Sequence, residues 1–209
     1  MPVDVPVLHV DPALIVVDKP AGLLAVPGRG EHLQDCAALR VQARFADVKV
    51  VHRLDQATSG LMVFARGLSA QRTLCRDFEE RRVAKRYEAI VGGLVAGDEG
   101  SIDLPLACDW PNRPRQQVDH EHGKVAQTRW RVLSRDVAQG TTRLELQPIT
   151  GRSHQLRVHL QAIGHPIVGD ALYAPTALSA SRLMLHACAL TIPHPADAQS
   201  MNFRSAAPF

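Results

Sequence analysis

Two short stretches of this 209-residue chain collect side chains capable of acid–base or nucleophilic work. The first is Val51-His52-Arg53-Leu54-Asp55-Gln56-Ala57-Thr58-Ser59-Gly60, where an acid follows an arginine by two positions and two hydroxyls and a glycine stand just behind. An ionised carboxylate there could serve as a base or a nucleophile. The second, Gly151-Arg152-Ser153-His154-Gln155-Leu156-Arg157, packs two arginines, a histidine and a glutamine together. An arginine beside Asp55 would keep its carboxylate ionised at neutral pH. A tyrosine, Tyr87, follows Lys85-Arg86 and could exchange a proton. Each feature also has a plainer reading. A loop aspartate is more often a turn former or cap, a basic helix start is often a solvated face, and a strand tyrosine is often core.

Other chemistries find less support. Ten histidines invite zinc, but His154 and His159 are five apart and would diverge by about 140° on a helix. The four cysteines form no Cys-x-x-Cys pair, so no metal is expected. Thr58-Ser59-Gly60 lacks the Gly-x-Ser-x-Gly elbow, and nothing in the sequence ties Ser59 to a particular histidine and acid. Pro27-Gly28-Arg29-Gly30 matches neither the phosphate-loop nor the dinucleotide pattern, so no nucleotide cofactor is expected.

The elements that must position these residues follow from periodicity. Val48 to Val51 and Leu61 to Ala65 read as strands flanking the Asp55 loop. Leu14 to Val17 is the first strand, and Leu23 to Val26 resumes one after the Asp18-Lys19-Pro20-Ala21-Gly22 turn. Leu33 to Phe45 has helical spacing. A second helix begins with Ser69 as its N-cap and runs to about Arg82, its arginines offset by Asp77, Glu79 and Glu80. Lys85 to Val91 is a strand, residues 94–125 are poor in pattern, and Ala126 to Leu133 pairs with Thr141 to Gln147. Helical spacing resumes from Arg152 to Ile163. Two late strands, Leu183 to His186 and Ala189 to Ile192, precede a polar tail.

With 45% apolar and 22% charged residues, the chain is globular and long enough for a substantial core. It holds no apolar run near the roughly 18 residues of a membrane helix and no basic segment leading an apolar one at its start, so a cytoplasmic location is expected. The formal charge of +3 permits a polyanionic partner without requiring one. Twenty of the 24 basic residues are arginine, whose planar fork suits phosphate and bases, whereas 4% aromatics argues against a surface built mainly on stacking.

Taken in order, the blocks resemble the RluA family of RNA pseudouridine synthases. The resemblance rests on Ile15-Val16-Val17-Asp18-Lys19-Pro20-Ala21-Gly22, the His52 to Gly60 stretch, Lys85-Arg86-Tyr87, Gly151 to Leu160, Gly169-Asp170 and Arg182-Leu183-Met184-Leu185-His186-Ala187. It implies an α/β (α+β) pseudouridine synthase fold, a mixed, largely antiparallel sheet with flanking helices and a central catalytic cleft. It further implies that residues 1–209 form a single catalytic domain without a separate N-terminal RNA-binding domain. By resemblance, Asp55 is the catalytic aspartate, attacking uridine at the ribose or the base. Tyr87 is the active-site tyrosine and Arg152 the arginine that pairs with the aspartate. Arg53 fills the space vacated by a flipped uridine, and Leu156 is an apolar wall for the uracil ring. No cofactor or metal is implied. Ser153 stands where threonine is commoner and Ala174 where glycine is usual, and neither threatens the activity.

With no room for a separate N-terminal RNA-binding domain, the chain resembles the compact subgroup that acts on tRNA anticodon stem-loops and a 23S-type ribosomal RNA hairpin, and the run Val17 to Arg29 supports that placement. The expected protein is a monomeric uridine isomerase on structured RNA, with no membrane partner. Two competing hypotheses are a catalytically silent RNA-binding module and an RNA glycosidase, the latter weakened because the motifs supply no second carboxylate beside Asp55.

Overall fold

A computed structural model describes residues 4–209. In chain order its strands and helices begin with β1 (Val7–Val10), β2 (Leu14–Lys19), α1 (Ala37–Gln42), β3 (Val48–Val50), β4 (Ser59–Arg66) and α2 (Gly67–Glu79). Then come β5 (Ala84–Gly92), β6 (Glu99–Asp103), β7 (Leu106–Cys108), β8 (Gln116–Val118), β9 (Gln127–Asp136) and β10 (Thr141–Pro148). The chain finishes with α3 (Gln155–Ala162), β11 (Leu185–Pro193) and β12 (Ser200–Arg204). The architecture is mixed α+β, mostly antiparallel in its strand pairing, with few helices, as the sequence led us to expect.

The chain divides into two compact units, residues 1–85 with 186–208 and residues 86–185 with 209. In the first unit β4 is the central strand. One edge pairs antiparallel with β2, which continues to β1. The other pairs with β3 over Phe64 to Arg66 and, in parallel, with β11 at Ser59 and Gly60. β4 is buried along nearly its whole length, so it reads as a continuous apolar run instead of an alternating one. Its core joins Leu14, Val16, Leu61 and Val63 to Leu74 of α2 and to Leu190 and Ile192 of β11. Gly60 is obligatory at the crossing of β4 and β11. Its φ is +113°, and a Cβ there would lie 2.4 Å from the Ala187 carbonyl oxygen.

In the second unit β10 pairs with β5 on one side and β9 on the other, and β6 extends β9. β7 and β8 form a separate two-stranded ribbon. Leu106, Ala126 and Val158 pack together with Val118 and Tyr173 around them, seating α3.

Several local expectations need correction, each for a visible reason. Leu23 to Val26 is not a strand, because the carbonyls of Leu24 and Ala25 accept the amides of Ala37 and Ala38. They thereby satisfy the first turn of α1, whose donors have no partner within the helix. That helix is also shorter than expected: a 3-10 turn covers Glu31–Leu33, and Cys36 then caps Ala37–Gln42 through Sγ. Ser69 lies inside α2, which starts at Gly67 in the left-handed region (φ +73°) after the extended Arg66. Residues 94–125 hold three strands, β1 precedes the first expected strand, and β12 occupies the supposed polar tail. β11 is one strand where two were expected. Finally, α3 starts at Gln155, so Arg152 precedes the helix.

Candidate active site

The Asp55 loop joins β3 to β4 and is fastened by backbone groups at several points. Thr58 N–H donates to the Asp55 carbonyl (3.1 Å), closing a turn. Gln56 is bonded in both directions to Gly22: Gly22 N–H donates to the Gln56 carbonyl (2.9 Å) and the Gln56 amide to the Gly22 carbonyl (3.0 Å). Below this contact lies Lys19, which is fully buried. Its ammonium donates to the carbonyls of Leu23 (2.7 Å), Pro20 (2.9 Å) and Gln56 (3.1 Å). Three donors meet three carbonyl dipoles, which is how an ammonium is tolerated without water. Lys19 thus ties the 20–23 turn to the residue beside Asp55. Asp55 is half-buried, Arg53 is exposed, and Leu54 turns inward at 7% exposure. Inward Leu54 between two outward polar residues anchors the loop while Arg53 and Asp55 stay accessible.

His52 secures the entry to the loop. Val63 N–H donates to its Nε2 (3.0 Å), so that nitrogen must carry a lone pair and the ring must be neutral with its proton on Nδ1. The ring stacks on Phe78 of α2, with centroids 4.5 Å apart and planes at 22°. Burial, reinforced by the positive charge of Lys85, pulls the His52 pKa down to about 3. Burial also lowers the pKa of Lys85 itself.

At the loop's exit the structure supplies the partners of Ser59 that the sequence did not reveal. The Ser59 hydroxyl lies 2.8 Å from His186 Nδ1, His186 Nε2 lies 3.0 Å from Ser205 Oγ, and Ser205 donates to the Asp18 carboxylate. That final bond orders one link of the chain: with its proton given to Asp18, Ser205 accepts from Nε2–H of His186. Ser59 is 3% exposed and His186 2%, so this is a buried fastening among β2, β4, β11 and the 205 segment, not a reachable nucleophile.

In the second unit the Gly151–Gln155 segment is built around a buried amide. Gln155 Oε1 accepts from the Thr150 hydroxyl (2.7 Å) and Arg152 N–H (3.0 Å). Its Nε2 donates to the Gln127 carbonyl (2.9 Å) and Thr128 Oγ1 (3.1 Å). This network holds Thr150 to Arg152 in a non-helical turn and explains the late start of α3. Arg152 is exposed, and its Nε donates to the Val125 carbonyl (3.0 Å). His154 adopts the left-handed conformation (φ 54°), with Nδ1 2.7 Å from the Tyr173 hydroxyl. Leu156, in the first turn of α3, is 6% exposed. Tyr87 is half-buried on β5 opposite Leu146, on the strand face that also carries Ala89 and Val91.

Two further groups hold α3. Arg157 forms a buried bidentate pair with Asp170 (2.7 Å for both contacts), and Asp170 Oδ1 also accepts the amides of Leu172 and Tyr173. His159 contacts Thr128 Oγ1 (2.9 Å) and the Leu104 carbonyl (3.0 Å), and burial lowers its pKa. His154 and His159 therefore both have hydrogen-bonded roles. Among the described residues no group of three or more His, Cys, Asp or Glu could hold a metal.

Of the five candidate residues, Arg53 and Asp55 share one loop of the first unit, whereas Tyr87, Arg152 and Leu156 belong to the second. The Gln155 network fixes the Arg152 backbone just ahead of α3, whose first turn carries Leu156. The supporting residues Lys19, His52 and Gln155 had no assigned role in the sequence reading. Lys19 left one legible sign: it continues the alternation of Ile15 and Val17, both fully buried on the same strand.

Comparison with known proteins bears on what this scaffold does. The family model described as RNA pseudouridylate synthase matches residues 13–162. The chain is 55% identical over 205 residues to the dual-specificity RNA pseudouridine synthase RluA of Yersinia pestis, covering 97% of this chain and 99% of that protein. It is 52% identical to the protein of the same name from Escherichia coli strain K12, covering 97% and 93% respectively. Among solved structures, human RNA pseudouridylate synthase domain containing 1 matches with a TM-score of 0.82 at 28% identity, covering 99% of this chain and 84% of that one. The chain belongs to the RNA pseudouridylate synthase family and is an isomerase of uridine in RNA.

Proposed function

We propose that this enzyme converts specific uridines to pseudouridine in structured RNA, a tRNA anticodon stem-loop and a 23S-type ribosomal RNA hairpin, with Asp55 as the nucleophile. The dual-specificity names of relatives 52–55% identical over nearly their whole length support this choice of RNAs. The observation that carries the assignment of Asp55 is its loop. A half-buried carboxylate is presented by a segment clamped through Lys19, Gln56 and His52, as a nucleophile held in a reactive geometry requires.

In the proposed reaction the carboxylate adds to the ribose or the base, the N1–C1′ bond breaks, and the uracil turns within the site. A C5–C1′ bond then forms, the bond to Asp55 breaks and returns the free carboxylate, C5 loses its proton, and N1 regains one. Atoms balance without oxidant or co-reactant. Arg152 is proposed as the cation that keeps Asp55 ionised, Tyr87 as the group that helps remove the C5 proton, and Leu156 as the apolar wall for the ring. Arg53, exposed on the same loop as Asp55, is proposed to occupy the stack position left by the flipped nucleotide. Residues 1–209 are proposed to act as one catalytic domain, as a monomer in the cytoplasm. No described helix is long and apolar enough to cross a membrane.

The test uses RNA tritiated at uridine C5 and lacking the modification. The enzyme should release label to water from tRNA or ribosomal RNA, and Asp55→Ala should abolish release while retaining RNA affinity. Label release undiminished in Asp55→Ala refutes the nucleophile, and no release by the wild type from either RNA refutes the choice of substrates.

A further inference from the structure

The turn joining β7 to β8, residues 109–115, contains the basic Asn112-Arg113-Pro114-Arg115 piece, and the reaction proposed above gives it no role. The turn is rigidly built. Asp109 N–H donates to the Arg115 carbonyl (3.0 Å), Asn112 N–H to the Asp109 carbonyl (3.1 Å), and Arg115 N–H to the Asn112 carbonyl (3.0 Å). The Asn112 amide reaches both Asp109 carboxylate oxygens at 3.1 and 3.0 Å. What this frame displays is Trp110, 69% exposed, with the Arg113 guanidinium carbon 3.4 Å from its ring centroid. A cation lies flat on one face of the indole, so the exposure belongs to the other face and the edge. A large aromatic held out in water by a braced turn gains nothing for the fold.

The two ends of the same turn, Asp109 and Arg115, border a cavity of ≈ 390 Å³ that is also lined by Gln116, Gln117, Gln161 and Tyr173. That volume is within the range of small-ligand sites. Its accessible lining is mostly polar, although Val118, Leu172, Ala174 and Pro175 also border it. The Gln116 amide is given to the Pro114 and Arg115 carbonyls, whereas Gln117 and Gln161 bring amide donors and carbonyl acceptors, the mixture found on nucleobase edges. Tyr173 links the cavity floor to the Arg152 segment: its hydroxyl accepts Gln116 N–H (2.8 Å) and contacts His154 Nδ1 (2.7 Å).

We propose that the 109–115 turn and this cavity form a second nucleotide subsite, in which an unpaired base of the substrate RNA, other than the isomerised uridine, stacks on the open face of Trp110. The Arg113 cation behind the indole strengthens the stack, and Gln117 and Gln161 of the cavity read the base edge. A protein partner docking through apolar side chains would call for a mostly apolar surround, and the accessible lining here is mostly polar. The subsite rests on the RNA-modifying function proposed above, and its test keeps the two separable.

The experiment measures binding and single-turnover tritium release with whichever RNA, tRNA or ribosomal RNA lacking pseudouridine, the wild type labels. Trp110→Ala should raise Kd about 5- to 150-fold, the range for losing one base–aromatic stack. Release at saturating RNA should stay within about twofold of wild type, because stacking there contributes to binding and not to the chemical step. Trp110→Phe should restore most of the affinity, and neither variant should shift the melting temperature. The slope of log affinity against log salt should be unchanged, since stacking displaces no counterion. Wild-type affinity in Trp110→Ala overturns the subsite and also covers a turn that serves a protein partner. A salt slope reduced by about one overturns it too, because it marks a lost phosphate contact. Failure of the wild type to release label from either RNA is a failure of the substrate assignment and is seen before any variant is made.

Discussion

Lowering the pH from 7 to 5 should weaken this protein through His52 in particular. Nε2 accepts the Val63 amide, and burial with Lys85 nearby pulls the folded-state pKa from 6.5 to about 3. At pH 7 the imidazole is largely neutral in both folded and unfolded chains and adds little pH dependence. Below about 6.5 the unfolded chain takes up a proton that the folded one refuses, so stability falls with pH at about 1.4 kcal/mol per unit. Between pH 7 and pH 5 this amounts to about 2 kcal/mol, and the loss continues until pH approaches the folded value near 3. Other groups titrate over the same interval, so the informative quantity is a difference of differences. Urea unfolding at both pH values, for the wild type and His52→Gln, should show the variant losing about 2 kcal/mol less than the wild type. Glutamine retains an acceptor for Val63 N–H but cannot be protonated. Equal pH dependence in the two proteins would refute the neutral, buried imidazole.

Two further outcomes test the scaffold. Lys19→Met keeps the aliphatic stem and removes the ammonium, orphaning the Pro20 and Leu23 carbonyls while Gln56 keeps its bond from Gly22. At about 1–3 kcal/mol per lost acceptor, partly offset by relief from burying a charge, tritium release should fall at least about 10-fold. Release at the wild-type rate would show that the clamp does not position Asp55. Asp170→Asn leaves Arg157 buried without its counter-charge and should cost about 3–5 kcal/mol in urea unfolding; a change below about 1 kcal/mol would place that pair in water.

What could be read directly from the chain were features set by local chemistry and by strong periodicity. The β3–loop–β4 arrangement around Asp55, the β9–β10 pairing and the body of α2 follow from runs of apolar residues broken by polar ones. The ordered blocks from Ile15 to His186 carried the family, and with it the reaction. Boundaries decided by distant partners were not legible. α3 begins at Gln155 because its side chain is spent on Thr150, Gln127 and Thr128, and Leu24 and Ala25 give their carbonyls to α1 rather than to a ladder. The same holds for the supports of the Asp55 loop. The Lys19 ammonium reaches Gln56 across 37 positions, and the Ser59–His186 bond spans 127. Sequence alone thus determined the family and nominated the residues proposed to carry the chemistry, because side-chain type and near-neighbour pattern are local. Only the tertiary structure decided how Asp55 is held, because a buried cation or imidazole is defined by acceptors and donors that folding brings from elsewhere in the chain.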